Sequence, residues 1–138
     1  YENSDIYYAK VVKFSISKDL CLIKSNIPSK KFKVKKRCND KEKTVIVGAP
    51  QGIFPIILDS YISKHKIDKS EIPFQEIDID SEIIMMSQMF LPGHSGSPVI
   101  SKDGKVCGIV FAASNAGYGG YAMSGKEIIS FMKSYSDF

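Results

Sequence analysis

The sequence predicts an all-β fold, a barrel or sandwich closed by one C-terminal helix. Three observations carry this. Short apolar runs, many alternating with polar residues, recur between turn signals along most of the chain. One Asp-Gly pair, Asp103-Gly104, lies between two such runs and marks a hairpin with a two-residue type I′ turn. Only the tail "GKEIISFMKSY" repeats apolar residues at helical spacing, at Ile128, Ile129, Phe131 and Met132. Many short strands with one terminal helix do not fit a layered α/β design.

Taken in order, "AKVVKFSI" alternates and is rich in β-branched residues, so it reads as a strand. "DLCLIKS" is a short apolar run with Asp19 at its head. "KKFKVKK" alternates Lys with Phe32 and Val34, as an exposed strand does with one face inward, and ends at the polar turn "CNDKEK". "TVIVGAPQG" is an apolar strand closed by a Gly/Pro loop. "FPIILDSYIS" is a further strand, broken near Pro55, followed by the polar excursion "HKIDKSEIP". "FQEIDID" alternates again, and "EIIMMSQMF" leads into "FLPGHSGSPVIS". The run "SPVISKDGKVCGIVFAA" is the hairpin, "SNAGYGG" a loop and "YAMS" a short strand before the helix.

The chain has 138 residues, enough for one compact domain or two small halves sharing a core. It is 43% hydrophobic and 25% charged, an ordinary globular balance. No apolar run approaches the roughly 20 residues that span a bilayer. The net charge of +4 is unevenly spread, since residues 24 to 43 hold nine Lys/Arg against two acids. That block suggests a polyanion patch, but its alternation fits an exposed strand better, so nucleic acid is disfavoured as a partner. Cys21, Cys38 and Cys107 are odd in number and none forms a Cys-x-x-Cys pair. Cys21 and Cys107 sit in apolar runs and read as buried free thiols, so no disulfide framework is visible and an oxidising compartment gains no support. His65 and His94 show no metal-ligand spacing, and no metal or cofactor motif is present. The chain begins at Tyr1 without an initiator Met, so the natural start is expected further upstream and localisation is left open.

The residues that carry chemistry are in "GHSGSPV". In the α/β-hydrolase pattern G-x-S-x-G the serine sits on a strand-to-helix turn. Here Ser97 takes the last Gly position and a hairpin follows, which excludes that geometry. The pattern G-x-S-G-x-P between strands remains. In it Gly93 lets its N–H turn inward beside that of Ser95, and the two N–H groups make an oxyanion hole. Gly96 puts no side chain beside the nucleophile, and Pro98 directs the chain into the next strand.

At this point the sequence resembles the chymotrypsin-fold (trypsin-like) serine peptidases, closest in motif to the HtrA-type bacterial or viral members. "GHSGSPV" looks like their nucleophile motif, and "GKVCGIVFAASNAGYGGYAMSGKEIISFMK" resembles the family's ending. "DLCLIKS" resembles the segment carrying the triad aspartate, and "VIVGAPQG" the opening of the second barrel. The resemblance implies a double β-barrel, of which this chain holds the end of the first barrel, a complete second barrel and the C-terminal helix. Residues 1–43 would be the first-barrel part and connection, 44–124 the second barrel and 125–138 the helix. It further implies Ser95 as nucleophile, Asp19 as the carboxylate that orients the base, and the N–H groups of Gly93 and Ser95 as oxyanion hole. Phe111, Ala112 and Ala113 would pair with substrate backbone, with Met89 at the pocket base and Gly119 and Tyr121 on its wall. An uncharged Met89 points to an apolar P1 residue.

Three departures matter. His94 replaces the Asp that pairs with a newly cleaved amine in the digestive members, which argues against zymogen activation of that type. Ser97 replaces the usual second Gly. The base histidine of the family precedes its aspartate by several dozen residues, and no His lies between Tyr1 and Asp19. His94 should point away from its neighbour Ser95, and His65, in a polar loop, is the alternative base. The expectation is a fragment of a serine endopeptidase acting on protein or peptide substrates, inactive by itself, with its histidine upstream. The competing expectation is an inactive trypsin-like domain that binds peptides by strand addition. Oligomeric state is not legible.

Overall fold

A computed structural model describes residues 6–53, 55–65, 77, 80–87, 93–113 and 119–136. Strands β1 (Ala9–Ser15) and β2 (Leu20–Ser25) form a separate antiparallel pair. Six further strands close a barrel: β3 (Lys43–Gly48), β4 (Ile56–His65), β5 (Ile83–Met86), β6 (Pro98–Ile100), β7 (Val106–Ala113) and β8 (Gly120–Ser124). Their order around it is β3-β4-β5-β8-β7-β6, antiparallel throughout. Helix α1 (Gly125–Ser136) follows β8 directly. The all-β double-barrel expectation holds in this form: a complete second barrel, one hairpin beside it and the terminal helix.

Period-two alternation explains how two apolar clusters form. Ile84 and Met86 of β5 and Ala122 of β8 face the barrel interior with Ile46, Ile62, Val99 and Val110. Their neighbours Ile83, Tyr121 and Met123 face outward, where Leu20 of β2 and Ile128 and Phe131 of α1 cover them. The five residues of β8 are therefore buried on both faces. The other face of the hairpin stays open, with Val11, Phe14, Ile16 and Ile23 all more than half exposed.

Four expectations need correction. Residues 30–36 form no strand. Val34 makes a single parallel bridge to Val106, with Lys35 N–H donating to Val106 O at 2.8 Å and Val106 N–H to Lys33 O at 2.9 Å. At Gly108 and Ile109 β7 is flanked by both β6 and β8, and the bridge to that segment falls on its first residue, Val106. The hairpin turn is not a two-residue type I′ turn. Gly104 N–H donates to Ser101 O at 3.0 Å, Ser101 N–H donates to Lys105 O at 2.9 Å, and only Gly104 (φ 78°), not Asp103, is left-handed. That is a three-residue loop, a type I turn ending in a bulged Gly.

The cysteines are the third correction. Cys38 and Cys107 are joined in a disulfide with Cα atoms 5.8 Å apart, and both are buried in the barrel cluster. Cys21 is free but exposed. The ground for setting aside an oxidising compartment is thereby removed. Fourth, His65 ends strand β4, paired with Ile84, rather than lying in a polar loop. Most of "FQEIDID" lies outside the described residues, but Ile77 packs in the outer cluster.

Candidate active site

Ser95 sits at the tip of a turn leading into β6. Ser97 N–H donates to His94 O at 3.0 Å and closes it, and Gly96 at the third position has φ 86°. This is the pattern of a type II turn, whose third residue must be left-handed and so favours Gly. The turn is tied to β7, with Gly96 N–H donating to Val110 O at 2.7 Å and Val110 N–H to Ser97 O at 2.9 Å. Gly93, at φ 101°, brings the chain into it. The N–H groups of Gly93 and Ser95 donate to no backbone carbonyl among the described residues. Ser95 itself is exposed.

The neighbours of Ser95 point the other way. His94 is buried, and a Cβ built on Gly48 at the end of β3 would lie 2.9 Å from its Cδ2 and 2.6 Å from Ser97 Oγ. The His94 ring thus packs into the barrel end while the Ser95 hydroxyl faces out. Ser95 Oγ donates to the carbonyl oxygen of Phe111 at 3.5 Å.

Phe111 marks the second part of the site. β7 bulges between Val110 and Ala112, then pairs with β8 as Ala112 with Tyr121 and Ala113 with Gly120. β6 reaches only as far as Ile109, paired with Pro98. Past that point, among the described residues, no strand pairs with the edge of β7 opposite β8 along Phe111, Ala112 and Ala113. Ala112 and Tyr121 are buried in the outer cluster, and the Phe111 and Tyr121 rings stack obliquely with centroids 6.4 Å apart. Gly119, at φ 68°, lies against the Met86 carbonyl, where a Cβ would overlap it. Met89 lies outside the described residues.

Asp19 supplies the third part. It closes the β1–β2 turn, its N–H donating to Ile16 O at 3.2 Å, and is itself left-handed at φ 50°, which Asp tolerates better than most residues. It lines a cavity of about 420 Å³ together with Phe14, Cys21, Leu20, Ile77 and Phe111. The structure thus brings Asp19 and Phe111 to one cavity and Phe111 and Ser95 to one hydrogen bond. Sequence reasoning missed Phe14 and Cys21 as cavity walls. The spacing of Asp19 and Cys21, two apart at a strand head, was the available signal. Among the described residues no group of three or more His, Cys, Asp or Glu could hold a metal, and no helix is long and apolar enough to cross a membrane.

A closed six-stranded antiparallel barrel with a serine turn beside an open strand edge defines the class of trypsin-like domains. The trypsin-like peptidase domain family matches residues 2–109, and the chain belongs to that family. The chain is similar in fold to the Rv3671c protease from M. tuberculosis. Against its active form the identity is 20% and the TM-score 0.81, covering 92% of this chain and 58% of that one. Against its inactive form the identity is 19% and the TM-score 0.79, covering 93% and 66%. The HtrA-type protease AlgW with decapeptide is 20% identical with a TM-score of 0.77, covering 94% of this chain and 40% of that one. This chain therefore spans less than two thirds of each of those structures. No curated protein matches in sequence.

Proposed function

We propose that this chain is the nucleophile-bearing part of a serine endopeptidase. Ser95 Oγ attacks the carbonyl carbon of a peptide bond while its proton passes to a histidine supplied from upstream of Tyr1. The same histidine protonates the leaving amine as the C–N bond breaks. Water then hydrolyses the acyl-enzyme by the reverse path. Asp19 holds the imidazole in orientation, and the N–H groups of Gly93 and Ser95 stabilise the tetrahedral oxyanion. The extended substrate lies along Phe111–Ala113 as an added strand, with an apolar side chain toward the pocket that Met89, Gly119 and Tyr121 would line.

The observation that carries this reading is the place of Phe111, which lines one cavity with Asp19 and whose carbonyl oxygen accepts from Ser95 Oγ at 3.5 Å. His94 is unsuited as base because its ring is buried behind the nucleophile. A fluorophosphonate probe should label Ser95 in the full-length protein, and Ser95→Ala should abolish labelling. The 138-residue chain by itself should label slower by orders of magnitude. A folded full-length protein that stays unlabelled yet binds extended peptides would replace this reading with that of a peptide-binding trypsin-like domain.

A further inference from the structure

Asp19 and Ser95 stand on different sheets, since no strand pairing joins the β1–β2 hairpin to the barrel. Their relative placement is set by whatever docks the hairpin. Part of that docking is apolar and comes from Leu20 against Ile128 and Phe131. Polar contacts add to it, two of them on α1. Lys13 Nζ donates to Phe131 O at 3.1 Å and lies 4.5 Å from the centre of the Phe131 ring. Lys18, the residue before Asp19, places Nζ 2.5 Å from Glu127 Oε2 and 3.3 Å from Ser81 Oγ. The second oxygen of Glu127 accepts from the Glu82 N–H at 3.1 Å.

These contacts form a strut. Glu127 is buried, with both carboxylate oxygens engaged, one by the turn that carries Asp19 and one by the backbone entering β5. An exposed Lys–Glu pair contributes little because both side chains wander. Here the carboxylate is fixed by a backbone donor, and the ammonium is fixed by two acceptors. The turn it grips is four residues long and left-handed at its last residue, so a shift of Lys18 rotates the Asp19 side chain directly.

We infer that Glu127, acting through Lys18, is a positioning residue that sets Asp19 relative to Ser95. The inference rests on the proposed role of Asp19. Glu127 touches no reacting atom. It holds the carboxylate of one sheet in register with the nucleophile of the other, and so α1 governs the triad. A misplacement of about 1 Å in a catalytic group costs up to about 100-fold in rate.

The test is made in the full-length protein with a chromogenic peptide ester. Glu127→Gln keeps the shape and the acceptor for Glu82 N–H but loses the charge that grips Lys18. It should lower kcat by about tenfold or more, with KM changed less than about twofold because the Phe111–Ala113 edge is untouched. Lys18→Met should match it. Lys18→Arg, which keeps the charge that Glu127 grips, should retain most of kcat, and the Glu127→Gln loss should appear in kcat of protein that is fully folded at the assay temperature. Asp19→Asn separates the two readings. If Asp19→Asn lowers kcat and a folded Glu127→Gln protein keeps wild-type kcat, the positioning role is overturned and the triad stands. If Asp19→Asn leaves kcat unchanged, both fall. Should Glu127→Gln fail to fold, Lys18→Met decides by the same kcat criterion.

Discussion

Cys38 and Cys107 are bonded across 69 positions of the chain, with their Cα atoms 5.8 Å apart. The bond fastens the connection that leaves the β1–β2 hairpin to the start of β7, the strand whose far end carries Phe111. In the chain-entropy account a loop of this length contributes about 4 kcal/mol to stability. A Cys38→Ala/Cys107→Ala variant should therefore unfold at lower denaturant, by an amount near that figure. Native protein should present one thiol to a colorimetric reagent, Cys21, and three after unfolding in reductant. Three reactive thiols in native protein would contradict the bond.

Glycine 48 has no room for a side chain. A Cβ there would meet Ser97 Oγ at 2.6 Å and His94 Cδ2 at 2.9 Å, on the inner side of the turn that presents Ser95. Gly48→Ala should destabilise by about 1–3 kcal/mol, the usual cost of overfilling a packed site. It should also slow labelling of Ser95, because the buried His94 ring must shift beside the nucleophile. Adding Ser97→Gly removes the nearer obstacle and should recover part of both losses. Thermal unfolding and probe kinetics on the three variants check this.

The legible and illegible parts of the fold divide along one physical line. What depended on near neighbours was readable. The Ser95 turn follows from Gly93, Gly96 and Pro98 within six positions, and the terminal helix from the apolar spacing of Ile128, Ile129, Phe131 and Met132. What depended on closure was not. "KKFKVKK" has strand alternation, but it makes a single bridge, to the first residue of β7. Cys107 reads as a small hydrophobe because the connection that returns Cys38 to it has no local signature. The hairpin loop sits between. Asp-Gly announced a turn correctly, but the register of β6 on β7 selected a three-residue loop.

At that hairpin loop Asp103 gathers three partners. It accepts from Ser101 Oγ, lies 3.1 Å from Lys35 Nζ and 3.6 Å from Lys105 Nζ. The Ser101 hydroxyl first, then Lys35, hold its carboxyl down from 3.8 to about 2. A folded value below the unfolded one means the ionised form is favoured by folding. The stabilisation is therefore fully present above about pH 4 and is lost as pH falls through about 2. NMR titration of the Asp103 carboxyl should show the low midpoint. Ser101→Ala should move it back toward 3.8, and an unmoved midpoint would assign the shift to the lysines instead.

The last expectation concerns a buried charge. Glu82 is 1% exposed and its carboxylate oxygens make no hydrogen bond among the described residues. The Arg37 guanidinium, Nε 2.6 Å from Oε1 but off the axis needed for a hydrogen bond, is the cation that neutralises it. Arg37 is half exposed, so the pair is not wholly removed from water, and its direct attraction is screened. The asymmetry between the partners then decides the outcome. Arg37→Ala leaves a buried carboxylate alone and should cost about 1–3 kcal/mol. Glu82→Leu removes the buried charge and frees an arginine that solvent can reach, and so should cost less. The double variant should be no worse than Arg37→Ala alone, since replacing both partners of a buried pair by apolar or small groups is often near neutral. Denaturant midpoints of the four proteins complete the cycle. Equal costs for the two single variants would show that the pair acts as an exposed surface bridge.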